Sequence, residues 1–321
     1  CSLTDAAVYD DPWEFYSWLR DRPIWYDATS DLYAVSRHAD VVEASRDAAH
    51  FSSAQGVRPV SLVPLSIVSM DDPEHTRQRR ILSKGLTPRQ VRTMTDHVRE
   101  LTNQVIDEVE ASGEIDFVSD LAAHVPLIVI SELLGLDPAI RGSLYEWSEA
   151  MISGEAAGPD DVELMERSAW GFDGYTTMVS KVLDERREDP RDDMLSILAA
   201  AYDAGELTYA EEIKANYEGA HEGSARPVNE LSNDELLMFF NQLLVAGNET
   251  TRNMISGGLW ALANNPDQLQ RLVDDRDLIP SCVEEWLRWT TPVVAFMRTA
   301  TVDTELRGVP IAARSEERRV G

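Results

Sequence analysis

Ala246-Gly247-Asn248-Glu249-Thr250-Thr251 puts a glycine, an acid and a hydroxyl in the middle of a segment, Asp234 to Ala263, that is otherwise apolar on almost all sides. Each is unfavourable there alone. A mid-helix glycine costs about 1 kcal/mol against alanine, and a threonine hydroxyl bonds back to the carbonyl four residues earlier, loosening the ladder. For Thr250 that carbonyl is Ala246. Together these residues predict a groove in the helix with a carboxylate and an alcohol beside an apolar cavity. Such a pair can hold a small diatomic ligand and relay protons to it. The competing arrangement is a local bend, with Thr250 satisfied by its own backbone and Glu249 facing solvent.

Two further constellations carry charge. Glu285 and Arg288 are three apart on one helical face and can form a charge-assisted pair. Such pairs arise by chance in acidic helical proteins, and exposed ones contribute little. The order of segments gives this one more weight: the long helix with its polar patch, a short helix from Pro266, the glutamate-x-x-arginine helix, then Thr291-Pro292 and a strand pair around Phe296 to Thr301. His75 and Arg79, four apart, offer two donors suited to a carboxylate or propionate. Arg77 and Arg80 lie on another face. They are either a basic patch for an acidic redox partner or a solvated helix end.

The elements that must position these residues are mostly helical. Ile24-Trp25-Tyr26 and Leu32 to Val35 read as a small hairpin, and His38 to Asp47 as a short helix. A loop from Phe51 to Ser69 follows, apolar enough to cover something. Asp72-Pro73-Glu74 opens a helix, and Thr87-Pro88 another with Val91, Met94, Val98, Leu101 and Val105 on one face. Leu121 to Leu134, Ile140 to Ile152, Asp160 to Arg187 and Asp192 to Tyr202 continue the helical pattern. Residues 209–229, polar and carrying Gly219, Gly223 and Pro227, read as a surface excursion. The predicted class is mainly α with small β-sheets.

Composition excludes several functions. The 321 residues carry 57 acidic against 29 basic side chains, a formal charge of −28, so nucleic acid and anionic lipid surfaces are repelled. The two cysteines, Cys1 and Cys282, support neither a disulfide framework nor a zinc site and fit a reducing cytosol. No apolar run approaches the ~20 residues of a membrane helix.

From about Pro23 to about Ile311 the chain resembles a soluble bacterial cytochrome P450. The resemblance rests on Asp72 to Arg80, Ala246 to Thr251, Glu285-Trp286-Leu287-Arg288 and Phe296-Met297-Arg298-Thr299-Ala300, in family order. It implies a helical fold holding haem b (iron protoporphyrin IX), and a monooxygenase that hydroxylates a steroid, terpenoid, polyketide or fatty acid with electrons from a ferredoxin or ferredoxin reductase. It further implies that Glu249 and Thr250 deliver protons to bound dioxygen, with Ala246 and Gly247 beside the cofactor and Gly247 leaving room for oxygen. His75, Arg79 and Arg298 correspond to propionate donors, and Glu285 with Arg288 to a buried structural pair. Val293, Val294 and Phe296, with the loop from Arg58 to Val68, correspond to substrate-lining positions.

The family's cysteine loop does not occur in these 321 residues, and Cys282, three residues before Glu285, is expected to pack as a small buried hydrophobe. The expectation is therefore one partial domain over residues 1–313, inactive alone, followed by a non-native tail over residues 314–321. The competing classes are a non-catalytic helical lipid or haem carrier and a helical interaction protein.

Overall fold

A computed structural model describes every residue except 1, 6, 59–66, 111, 112, 154–160, 207–232, 314, 315 and 321. The excursion at 209–229 and most of the Arg58 to Val68 loop lie outside the described residues. The chain divides into two compact units, Cys1–Arg77 with Val293–Gly321, and Gln78–Pro292. Segments from both ends of the chain build one sheet, and the middle forms a separate helical body.

The first unit contains α1 (Ala7–Asp10), α2 (Trp13–Arg20), β1 (Ile24–Asp27), β2 (Leu32–Val35), α3 (His38–Arg46) and β3 (Phe51–Ser52). From the far end of the chain come β4 (Ala295–Ala300), β5 (Thr304–Leu306), β6 (Val309–Ile311) and β7 (Glu316–Val320). The expected β1–β2 hairpin forms in register Asp27 opposite Leu32, turning through Asp31 at φ 55°. Five strands then order as β1-β2-β7-β4-β3. β7 runs parallel to β2 and antiparallel to β4, so the segment expected to be a tail occupies an inner position of the sheet.

Strand alternation sends Met297 and Thr299 into the interior. Met297 joins Leu3, Leu19, Leu32 and Ala34, while Ala300 packs with Val35, Ala44, Phe51, Leu306 and Ile311. Two acids tie this unit together. Asp40 is buried and takes both arms of Arg307 at 2.8 Å. Asp27, also buried, accepts from Ser30 Oγ at 2.6 Å, Ser2 Oγ at 2.7 Å, and the backbone N–H groups of Leu3 at 2.8 Å and Thr29 at 3.0 Å. Burial alone would raise its pKa, but those four donors outweigh burial and hold the carboxyl well below the usual range.

α4 (Glu74–Gly85) begins in the first unit. The second unit continues with α5 (Pro88–Glu110), α6 (His124–Leu134), α7 (Arg141–Ser153), α8 (Val162–Glu188), α9 (Met194–Asp203), α10 (Asn233–Ala263), α11 (Pro266–Asp274) and α12 (Ile279–Thr290). These match the helical segments read from periodicity. α6 stops at Gly135, whose φ of 78° gives the left-handed cap, and the Gly135 carbonyl accepts from Arg186 Nη2 at 2.6 Å. Arg186 Nε also donates to Asp193 at 2.6 Å, and Asp193 caps α9 through the Ser196 N–H at 2.8 Å. Both charged groups are buried, so each makes the other's burial tolerable.

α7 and α8 pack backbone to backbone at Gly171, where an added Cβ would lie 2.8 Å from the Trp147 carbonyl oxygen and 2.9 Å from Ala150 Cβ. α10 sends Leu236, Leu237, Phe239, Phe240 and Leu244 into the interior of this unit. The fully buried Tyr175 of α8 donates its hydroxyl to the Phe240 carbonyl at 3.1 Å.

Two outcomes follow from this packing. Asp27→Asn keeps the shape but loses the ionised acceptor, and should cost about 1–3 kcal/mol in urea unfolding at pH 7. Because the folded pKa of Asp27 is depressed, its contribution is present above the unfolded carboxylate pKa and is lost as pH falls. The gap between wild type and variant should therefore narrow on acidification, and a gap constant to pH 3 would contradict the assignment. Gly171→Ala should lower stability by about 1–3 kcal/mol, since backbone rather than a side-chain end must yield. An unchanged melting temperature would show that α7 and α8 have slack.

Candidate active site

α10 carries the polar turn. Leu244 and Asn248 are completely buried, whereas Ala246, half a turn away from both, is exposed. Thr250 follows Ala246 one turn later and donates its hydroxyl to the Ala246 carbonyl at 2.8 Å. The back-bond expected from a mid-helix threonine is therefore formed. The outward-facing Glu249 of the competing arrangement is not: the Glu249 side chain is only 13% exposed.

Glu249 Oε2 lies 2.5 Å from Nη2 of Arg252, one turn on, and Arg252 Nη1 contacts Glu149 Oε1 of α7. Beside this triad, Asn248 Nδ2 donates to Ser148 Oγ of α7 at 3.1 Å, a buried bond. Sequence reasoning missed Arg252 and Glu149. The Glu249–Arg252 spacing is legible, being the same three-residue step as Glu285–Arg288, but nothing in the sequence marks Glu149.

Gly247 lies against a neighbouring helix. A Cβ there would sit 3.0 Å from Ile130 Cγ1 and 3.1 Å from Ile130 Cδ1 of α6. The missing side chain makes room for a neighbouring helix.

The Glu285–Arg288 pair forms as expected, bidentate at 2.6 Å through both Nε and Nη2. Its burial does not. The side chains are 56% and 66% exposed, and α12 has no buried residue. α12 meets α10 only along its inner face, where Thr290 and Trp286 crowd the Cβ positions of Gly257 and Gly258, and the pair lies off that face. The Arg288 guanidinium holds the Glu285 carboxyl below its ordinary pKa.

Cys282, next to this pair, is half-buried rather than buried, and burial followed by the Glu285 charge pushes its thiol up, away from the thiolate. In the first unit, Arg298 is half-buried on β4 with Nη1 donating to the Met297 carbonyl at 2.9 Å, and His75 lies 3.9 Å from Asp72. Val293, Val294 and Phe296 are all exposed. Phe296 shares a strand face with Arg298, opposite the buried Met297 and Thr299. In the second unit, Arg79 is exposed on α4.

A cytochrome P450 family model matches residues 173–315. The chain is 33% identical over 301 residues to the steroid C26-monooxygenase of Mycolicibacterium smegmatis, an alignment that covers 94% of this chain and 69% of that protein. It matches the steroid C26-monooxygenase of Mycobacterium tuberculosis at 33%, covering 93% and 69%. Among solved structures, cytochrome P450 CYP109B1 from Bacillus subtilis superposes with a TM-score of 0.77 at 29% identity, covering 96% of this chain and 76% of that one. CYP109E1 from Bacillus megaterium, solved in complex with corticosterone, gives a TM-score of 0.77 at 26% identity, covering 97% and 75%. The chain belongs to the cytochrome P450 superfamily.

P450 enzymes are haem b monooxygenases, oxidoreductases of apolar small molecules, and the mainly α fold with small sheets is theirs. The α10 surface fits such a cofactor: Ala246 presents an exposed methyl while Leu244 and Asn248, two residues to either side, are buried, and Thr250 folds its hydroxyl back against the helix. That leaves only small side chains on this side of the helix, against which a macrocycle could lie. Among the described residues no helix is long and apolar enough to cross a membrane.

Because the Glu285–Arg288 pair is exposed, Arg288→Gln should leave the thermal midpoint of this chain essentially unchanged. A large drop in differential scanning calorimetry would show that the pair is covered in solution.

Proposed function

We propose that the chain is the haem-binding portion of a monooxygenase that hydroxylates an apolar small molecule of the steroid class, with electrons from a ferredoxin-type donor. The observation that carries this reading is the Thr250 hydroxyl back-bonded to the Ala246 carbonyl beside the paired Glu249, in a chain of this family. The steroid class rests on relatives named as steroid C26-monooxygenases and on a structural neighbour solved with corticosterone.

The haem, when bound, supplies dioxygen binding and the oxidising equivalent. Hydroxylation puts one oxygen atom into the substrate and releases the other as water, consuming two electrons and two protons. The electrons come from the donor and the protons must cross an apolar cavity. Thr250 Oγ is the group on the open face of α10 that can accept one hydrogen bond while donating another. Glu249, adjacent in sequence, is the carboxyl assigned to replenish that proton, which requires it to leave Arg252. His75, Arg79 and Arg298 correspond to the propionate donors, cationic or hydrogen-bonding groups that match a carboxylate. Val293, Val294 and Phe296 correspond to the substrate-lining positions. Cys282 lies on α12 beside the Glu285–Arg288 pair, where burial and the Glu285 charge push its thiol pKa up, and it is not the ligand in this reading.

In the haem-loaded holoenzyme, corticosterone should shift the haem absorption band. Thr250→Ala should lower product formed per electron pair by about 10-fold or more, with the balance appearing as hydrogen peroxide. A steroid-induced shift with unchanged coupling would remove Thr250 from its role. Absence of any shift across steroids, with haem firmly bound, would favour a haem carrier.

A further inference from the structure

We infer that Glu149 on α7 is a positioning residue for the Glu249 carboxylate, acting through Arg252, so that one guanidinium is shared between the acid of α10 and a neighbouring helix. The inference deepens the proton-delivery reading above and rests on it for its significance, though not for its test. Arg252 contacts Glu249 Oε2 through Nη2 and Glu149 Oε1 through Nη1. The three side chains are 14%, 13% and 33% exposed for Arg252, Glu249 and Glu149. Two carboxylates and one guanidinium leave a net negative charge in a largely dehydrated place, and neither acid has the cation to itself.

The sharing has a mechanical consequence. To serve Thr250, Glu249 has to release Arg252, and releasing a buried guanidinium with no second partner is costly. Glu149 is that second partner. Arg252 Nε has no hydrogen-bond partner among the described residues, so the two Nη contacts are its hydrogen bonds there. The spacing between the helices is held independently by the buried Asn248–Ser148 bond, one residue before each acid. α7 is thereby fixed where Glu149 can reach Arg252.

The other ionisable groups facing this triad come from four directions. Tyr145 lies one turn before Glu149 on α7; burial, then the charge of Glu149, pushes its hydroxyl pKa up. Its ring stacks on His124 of α6 at 5.7 Å. Glu146 of α7 and Arg167 of α8 share with Glu149 an opening of about 420 Å³. Asp116, in the segment before α6, adds a weaker negative field at Tyr145.

The test uses the 321-residue chain with ¹³C-labelled glutamate, following the Glu249 side-chain resonance through a pH titration, with Glu249→Gln supplying the assignment. Glu149→Gln should lower the Glu249 midpoint by about half a pH unit or more, because Arg252 is no longer divided and a like charge has gone. The same substitution made in an Arg252→Gln background should move the midpoint by less than half as much. Should Glu149→Gln fail to fold, Arg252→Lys, which keeps the charge but not the paired Nη donors, should weaken the coupling between the two acids. A Glu249 midpoint indifferent to residue 149, or equally sensitive with and without Arg252, would overturn the inference. These titrations need no haem, so their failure is separable from failure of the monooxygenase reading, which the steroid shift and the Thr250 coupling decide.

Discussion

An ionised carboxylate cannot be placed within a helical bundle unless a cation goes with it, and the second unit is organised around satisfying that demand at Glu249. Removing a carboxylate from water costs several kcal/mol even after relaxation, and recovering that cost needs close geometry to a partner. Arg252 supplies the partner from the same helix, three residues on, but a guanidinium has more donors than one carboxylate can use. Glu149 takes the remainder, which commits α7 to a fixed distance from α10. The arrangement propagates outward: α8 closes on α7 through Gly171, and Tyr175 of α8 returns to α10 through the Phe240 carbonyl. α7, α8 and α10 therefore form a closed circuit of contacts that includes the charged turn.

Glycine serves the same helix in a different way. At Gly247, Gly257 and Gly258 an added Cβ would meet, respectively, Ile130, Thr290 and Trp286. Each absence lets another helix approach α10 more closely than alanine would allow, at a cost of about 1 kcal/mol in helix propensity apiece. At Gly247 the neighbour that an added Cβ would meet is the Ile130 side chain of α6. What remains open is the strip of Ala246 and Thr250, made by small or folded-back side chains rather than by glycine.

Much of this was legible because it is local. Helix positions follow apolar periodicity, the β1–β2 hairpin follows its turn residues, and the Thr250 back-bond follows from a hydroxyl in mid-helix. The Glu285–Arg288 contact is equally local, and it formed; its exposure was not legible, because spacing names a partner and says nothing about what packs around it. Glu149 and Arg252 are 103 residues apart, and no one-dimensional pattern links them. β7 was illegible for a related reason. Glu316-Glu317-Arg318-Arg319-Val320 lacks the alternation of a strand, and its place is set by the paired edges that β2 and β4 offer on either side. The division into two units depends on that same sheet, whose strands come from opposite ends of the chain.

The two units orient their candidate site residues by one rule expressed in two periods. On β4 the period is two: Met297 and Thr299 are claimed by the interior, so Phe296 and Arg298 must take the other face. A slip of one residue would bury the arginine, and pairing with β7 and β3, together with the Met297 N–H to Val57 carbonyl bond at 2.8 Å, prevents it. On α10 the period is 3.6: Leu244 and Asn248 are claimed by the interior, which turns Ala246 and Thr250 outward. In both cases the outward-facing polar residue, Arg298 or Thr250, also bonds to a nearby backbone carbonyl, that of Met297 or Ala246. Those bonds act on a direction that the core has already set, so substitutions in the core at Met297 or Leu244 act on the site without touching it.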